Sequence, residues 1–432
     1  MFVSHNHPAI RPGGSEAYAF EAYEATRNAG EFDVMFLARS GPPYSIAARH
    51  HEGRPITLTN NDPNQYLFYT DAQGHDWLYG RSPHKSALTR FYGDFLLDHK
   101  PDIVHFQHTM FLGYDILRIT RNTLPDVPIV YTIHDHTLIC HRDGQLVRTL
   151  NNELCREESP RRCHECFPDV SQQTFFMRKR FIQSQLSAVD LFVTPSPGAL
   201  ERYVKWGIPR SKIVCEPHGR PPATPVREDT ERPKRNRFGF FGQFTAYKGA
   251  DVLLEAMSLL GEDFDGRLWI HGANLDTAPE YFQERFGDLI EDAHGNVRLV
   301  GQYESGELSK LMERIDWVVV PSITYETGPL TLLEAFQRGR PVICSDFGGM
   351  AEKVTDEVNG LHFRRGNAHS LAAAMRRAAD TPGLWKKLRR GIPKVQTMDE
   401  HAGRLSEHYR SLLAGGRPGE GPQEPGKVLE HA

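Results

Sequence analysis

The sequence has no run approaching the roughly 20 uninterrupted apolar residues that a membrane-crossing helix requires. It also lacks a basic N-terminal segment followed by an apolar stretch, which excludes a secretory signal from the reading. Six cysteines in 432 residues are too few for a disulfide scaffold, and four of them crowd into one stretch, which suits a reducing compartment. Charge of one sign is not in excess: 51 Lys and Arg stand against 55 Asp and Glu, a net charge of −4. That supplies no general attraction for polyanions and excludes a nucleic-acid-coating protein. No short-period repeat is visible, which sets solenoids and propellers aside. What is present is an ordinary globular composition, 39% hydrophobic and 25% charged, in a chain long enough for two cores and too long for one. The expectation is a two-domain cytoplasmic protein.

Short apolar runs alternate with amphipathic segments throughout. Strands are expected at Met1 to His5, Phe32 to Arg39, Asp102 to His108, Pro128 to Asp135, Leu191 to Ser196 and Lys212 to His218, with helices such as Ser15 to Ala29 and His84 to His99 between them. The first strand begins at Met1 itself, which leaves room for a start a few residues upstream. From Arg220 to Arg237 the composition shifts to Pro, Arg, Glu and Thr, the mark of an interdomain linker and hinge. Strands resume at Arg237 to Gln243, Arg267 to His271, Asn296 to Gly301, Asp316 to Pro321 and Pro341 to Asp346, with helices near Asp251 to Leu260 and Leu330 to Arg338. This is the rhythm of α/β domains built on parallel sheets. The boundaries predicted are a first domain at 1–219, a linker at 220–236, a second domain at 237–414 whose last helix is free to return to the first, and a disordered Gly/Pro/Glu-rich tail at 415–432. Two such sheets place their strand carboxyl ends, where ligands bind, across a cleft.

The densest chemical signal is Tyr325 to Ala335, Tyr-Glu-Thr-Gly-Pro-Leu-Thr-Leu-Leu-Glu-Ala, just after a strand. Gly328 gives backbone access, Pro329 suits a first helical position, and the amides of Leu330, Thr331 and Leu332 then point outward as an anion site. Glu326 in the loop and Glu334 inside the helix present carboxylates at two depths, each able to accept from a pair of sugar hydroxyls.

With its continuation through Arg338-Gly339-Arg340-Pro341-Val342 and Gly348-Gly349, this segment resembles the signature of retaining glycosyltransferases of family 4, which have the GT-B fold of two Rossmann-like domains facing a cleft. The resemblance extends over roughly Met1 to Leu412. Pro12-Gly13-Gly14-Ser15-Glu16 is similar to the family's glycine loop, and Phe240-Phe241-Gly242-Gln243-Phe244 with Tyr247-Lys248-Gly249 to its diphosphate-binding strand and loop. Gln243 departs from the pattern, standing where many members have Arg, and His218 stands where Asn is more usual. The resemblance implies that Glu334 holds the donor's ribose hydroxyls. Gly13, Gly14, Gly242, Lys248, Gly328 and Pro329, with the amides of Leu330 and Thr331, are then donor-binding, and Glu326 contacts the transferred sugar. It also implies that His134, in Tyr131-Thr132-Ile133-His134-Asp135, lies near that sugar and the acceptor. Other histidines, among them His5, His7, His105, His108 and His136, are too numerous all to share that role.

Cys140, Cys155, Cys163 and Cys166 lie in an insertion at about 137–170, with gaps of 14, 7 and 2 residues. The last gap is a chelating spacing, and a structural zinc is expected, with His141 or His164 able to replace one cysteine. After it, Thr174-Phe175-Phe176-Met177-Arg178-Lys179-Arg180-Phe181-Ile182 puts aromatic and basic residues on one helix. It is read chiefly as core packing, with peripheral contact to an anionic membrane face as the second reading. The function expected is transfer of a sugar with retention, without a catalytic metal, from a nucleotide-sugar donor to a glycan, lipid-linked or small-molecule acceptor, in glycan, polysaccharide or glycolipid biosynthesis. The alternatives are a nucleotide-sugar epimerase on the same fold and a catalytically silent, zinc-stabilised binding protein.

Overall fold

The structure is a computed structural model that describes residues 1–43, 55–59, 62–227, 234–272, 280–293 and 295–416. Most of the tail expected to be disordered, 417–432, lies outside the described residues, as do 228–233 of the linker.

The chain divides into two compact units. One comprises Met1–Gly144, Arg148–Gly219 and Met398 onward, the other Gln145–Val147 and Arg220–Thr397. The first unit is built on β1 (Phe2–Ser4), β2 (Phe36–Ser40), β3 (Ile56–Thr59), β4 (Asp62–Tyr69), β5 (Val104–Phe106), β6 (Ile129–Thr132), β7 (Leu191–Thr194) and β8 (Ile213–Cys215). They form one sheet in the order β3-β4-β2-β1-β5-β6-β7-β8. Runs such as Ile-Val-Tyr-Thr of β6 and Leu-Phe-Val-Thr of β7 are buried at every residue, as strands covered on both faces must be. The sheet is parallel except where β3 runs antiparallel to β4, so the all-parallel expectation needs correcting at this edge. Neither β3 nor β4 was anticipated. β4 begins Asp-Pro-Asn, which reads as a turn, and of its side chains only Phe68 is buried, so no continuous apolar run marks it.

The second unit carries β9 (Arg237–Phe241), β10 (Arg267–His271), β11 (Val297–Gly301), β12 (Trp317–Val320), β13 (Val342–Ser345) and β14 (Gly360–Phe363), all parallel, in the order β11-β10-β9-β12-β13-β14. In each sheet the winding reverses beside the first strand, at β1/β5 and at β9/β12. The crevice at the carboxyl ends of strands opens at such a reversal. The helix Leu330–Gln337 buries Leu332, Leu333, Ala335 and Phe336 against the sheet, which leaves Thr331 and Glu334, three residues apart, on its other face.

The segment expected to be a free linker is in fact docked on the second unit where it is described. Pro221 O accepts from Gln337 Nε2 at 2.9 Å, and Val226 exchanges backbone and side-chain bonds with Arg338 and Arg389. The last helix, Met398–Leu413, belongs to the first unit and packs on Gly14–Asn28. Tyr18 donates to His401 Nε2 at 2.5 Å, and His105 bonds Tyr409 at 2.6 Å and Thr132 at 2.7 Å.

Candidate functional site

In the second unit the residues after β12 fold back on the residues after β9. Ile323 N–H donates to Tyr247 O at 3.0 Å, and Gly249, with φ of 74°, sits so close that a Cβ there would lie 1.9 Å from Pro321 O. Only glycine fits both the left-handed backbone and that approach. The turn brings Lys248 Nζ to 2.6 Å from Glu326 Oε1, the oxygen that also accepts from Ser322 Oγ at 2.7 Å. Gly349 fixes the same loop from the other side. Its N–H donates to Glu326 O at 3.1 Å, and a Cβ would stand 2.4 Å from that oxygen. Two predicted residues, Lys248 and Glu326, thus meet as an ion pair whose cation is partly exposed.

Pro329 is the residue before the helix rather than its first turn, and Leu330 opens it. The amides of Leu330 and Thr331 stand at the helix start, where no carbonyl within the helix reaches them. Leu332 N–H instead donates to Pro329 O at 3.2 Å, so the expected outward amide of Leu332 is already used. Thr331 Oγ1 donates to Phe241 O at 3.3 Å, tying the helix start to the end of β9, where Gly242 follows with φ of 139°. Gly328 precedes Pro329 in the same loop, and Gln243 is exposed. Deeper on the helix, Glu334 Oε1 accepts from Arg220 Nη2 at 2.5 Å. Tyr303 faces it, its phenol pushed up first by burial and then by the Glu334 charge. Phe241 and His271 stack beside Tyr303, and burial, with Arg314 adding to it, lowers the His271 imidazole to about 4.

In the first unit the β1/β5 reversal gathers a polar chain that the sequence reading missed. His5 Nε2 meets Glu16 Oε1 at 3.0 Å, the His5 ring lies tilted against His108 with centroids 4.7 Å apart, and His108 Nε2 donates to Asp135 Oδ2 at 3.1 Å. Met110 N–H donates to His108 Nδ1 at 3.0 Å, which puts the proton on Nε2 toward Asp135, and against the effect of burial the Asp135 charge and hydrogen bond raise the imidazole. Burial opposes ionisation of Glu16, but the His5 hydrogen bond and charge outweigh it and hold the carboxyl at about 2. Gly13 and Gly14 open the helix beneath, and Glu16 already covers that start, since a Cβ on Gly13 would lie 2.4 Å from Glu16 Oε2. His134 follows β6 and donates from Nε2 to Gln107 Oε1 at 3.1 Å. Its ring stacks on His218, and burial, then His108, lowers it to about 3, so it is neutral near pH 7. The signal available was positional: His5, Gln107, His108, His134 and Asp135 all follow β1, β5 or β6 directly.

Cys163 and Cys166 share the helix Pro160–Cys166, three residues apart, and all four insertion cysteines are free thiols. Burial first, then Glu158, Cys140 and Cys155, pushes the Cys163 thiol up to about 12. Among the described residues no three His, Cys, Asp or Glu side chains converge where they could hold a metal ion. On the helix Gln172–Leu186, Phe175, Ile182 and Leu186 are core residues. Arg178 is buried too, donating to Leu78 O, Leu138 O, Ile139 O and Thr137 O, so it is withdrawn from any surface face. Phe176 and Met177 are exposed. Among the described residues no helix is long and apolar enough to cross a membrane.

Two family profiles match in succession, "Glycosyltransferase Family 4" over residues 12–223 and "Glycosyl transferases group 1" over residues 225–395. The chain belongs to glycosyltransferase family 4. It is similar to a glycogen synthase of Mycobacterium tuberculosis, 24% identical over 452 aligned positions that cover 100% of this chain and 98% of the relative. It is also similar to a D-inositol 3-phosphate glycosyltransferase of Corynebacterium aurimucosum, 25% identical over 65% of this chain and 63% of that one. Among solved structures, sucrose-phosphate synthase from Thermosynechococcus elongatus superposes with a TM-score of 0.68 at 18% identity, covering 96% of this chain and 100% of that one. Anabaena HepE, solved with UDP and glucose, gives 0.63 at 15% identity, covering 95% and 100%. These likenesses establish the GT-B fold, and the family establishes the glycosyltransferase activity.

Proposed function

We propose that this glycosyltransferase takes a nucleoside diphosphate sugar and transfers the sugar with retention to an acceptor hydroxyl, in the assembly of a glycan, polysaccharide or glycolipid. The observation that carries the reading is that Lys248, after β9, meets Glu326, after β12, beside the helix that carries Thr331 and Glu334, at the β9/β12 reversal. Glu334 accepts from the ribose hydroxyls, while Lys248 and the Leu330 and Thr331 amides meet the diphosphate. Glu326 accepts from the transferred sugar and aligns its anomeric carbon. Charge that builds on the leaving diphosphate is met by Lys248 and the helix start, and the departing phosphate takes the acceptor proton on the same face of the sugar. This route asks for no catalytic metal, and turnover is expected to persist in excess chelator. Uridine diphosphate, the nucleotide seen with HepE, is the first to try.

The test is thermal stabilisation by the diphosphates of uridine, guanosine and adenosine and their sugar conjugates, because a ligand that binds only the folded state raises stability by mass action. A selective shift, larger with one sugar conjugate, is expected. No shift with any of them at millimolar concentration sinks the donor reading. A structural zinc on Cys140, Cys155, Cys163 and Cys166 stands as a separate proposal, supported by the three-residue spacing on one helix and by the influence of these thiols on one another. It requires the thiols to turn toward one point, and a content near one zinc per chain is the result that sustains it.

A further inference from the structure

Arg220 was read as the first residue of an interdomain linker and hinge, yet it is among the buried charged residues of the protein. Its amide donates to Gln396 O at 3.1 Å, and it pairs in parallel with Thr397 as an isolated bridge. Its guanidinium reaches Glu334 at 2.5 Å, with side chains 8% and 13% exposed. The next residue, Pro221, is held by Gln337 on the same helix as Glu334. Among the points where the chain passes between its two units are Gly219/Arg220 and Thr397/Met398, and Arg220 joins these two by its backbone and the Glu334 carboxylate by its side chain.

A carboxylate on a helix has several rotamers, and a guanidinium on one oxygen selects among them while leaving the other oxygen to accept. It also offsets the repulsion that an unpaired carboxylate exerts on an incoming diphosphate. We propose that Arg220 is a positioning residue that fixes Glu334 for the vicinal hydroxyls of the donor's ribose, so that ribose recognition is set from the chain crossing rather than from the helix alone. The proposal rests on the reading of Glu334 as the ribose-binding group. It also accounts for an arginine at this position, since a lysine presents a single point charge that does not hold the carboxylate in one plane.

The experiment compares binding of one nucleoside diphosphate, whichever of the uridine, guanosine and adenosine forms stabilises the protein most, with binding of its 2′-deoxy form. The proteins are the wild type, Arg220→Gln, Arg220→Lys, Glu334→Gln and the Arg220→Gln/Glu334→Gln double variant. The wild type is expected to prefer the ribose form by on the order of tenfold. That preference should fall toward one in Arg220→Gln, by severalfold in Arg220→Lys, and no further in the double variant than in Glu334→Gln, with deoxy-form affinity nearly unchanged. If Glu334→Gln abolishes the preference and both Arg220 variants keep it, the Arg220 proposal fails and the ribose reading survives. A preference unaltered by Glu334→Gln, or no binding by any diphosphate, overturns the donor reading and this proposal with it. Should Arg220→Gln melt before it can be measured, Arg220→Lys, which keeps the charge, decides between the same outcomes. A general loosening of the fold would weaken both nucleotides together and leave their ratio alone.

Discussion

Lys248 does two things to Glu326. It neutralises a carboxylate that would otherwise repel a diphosphate, and with Ser322 it holds that carboxylate in place. The two roles separate by substitution. Glu326→Gln keeps the shape and removes the charge, and is expected to lower sugar transfer on the order of a hundredfold while nucleoside diphosphate affinity changes little, as read by turnover and by calorimetry. Unaltered turnover would remove Glu326 from the mechanism. Lys248→Met is expected to weaken the nucleoside diphosphate about tenfold or more and the bare nucleoside hardly at all, because only the former carries the charge that Lys248 is proposed to meet. Equal weakening of both would count against a diphosphate role. These residues could be named as candidates because they sit on contiguous motifs. Arg220 was not: its partner lies 114 residues away, and its neighbours are the Pro and Glu of a linker composition. Nor was the His5, Glu16, His108 and Asp135 chain, since His5, His108 and Asp135 follow three separate strands and Glu16 sits on the helix Gly14–Asn28, so that they become neighbours only when β1, β5 and β6 pair.

At the scale of elements, strands with uninterrupted apolar runs were placed within a few residues, since burial on both faces leaves the sequence little choice. The Arg267–His271 strand agrees at both ends. β3 and β4 at the exposed edge and the short β14, which opens with Gly360, carry no such run and were missed. The site depends on how the elements are pressed together. Gly249→Ala places a methyl where Pro321 O already stands and asks an L residue to hold φ of 74°. A loss of about 2 kcal/mol or more in denaturant-induced unfolding is expected, together with reduced donor affinity, because the Lys248 turn must move. Gly366→Ala, also at positive φ but with nothing within 4 Å, should cost about 1 kcal/mol and leave the donor site untouched.

At the scale of the molecule, several imidazoles are buried in neutral form. His401, wholly buried and accepting from Tyr18, is lowered to about 4, first by burial, and His105 is lowered as well. A histidine with a folded pKa below its unfolded value near 6.5 leaves the unfolded state holding more protons, so stability rises with pH across the window between the two values. It is fully present above about 6.5 and lost as pH falls toward 4. From His401 alone the loss at pH 5 is about 2 kcal/mol, at about 1.4 kcal/mol per pH unit. Melting temperatures should fall steadily from pH 7 to 5, with the slope reduced in His401→Gln. A melting temperature that holds level over that range would refute the neutral assignment. The two-unit layout was legible from the composition break at Arg220. That the connector is docked from its first residue was not, because backbone bonding to Gln396 leaves no trace in composition.

The return of Met398–Leu413 to the first unit has a consequence for synthesis. The ribosome delivers the whole of Arg220–Thr397 before it delivers the helix that bonds Tyr18 and His105, a delay of roughly 10 to 35 s at ordinary elongation rates. During that interval the nascent first unit waits with one face of Gly14–Asn28 uncovered, and by its end the second unit, continuous but for Gln145–Val147, has all its residues. The half of the protein that is made first is therefore the half that is finished last.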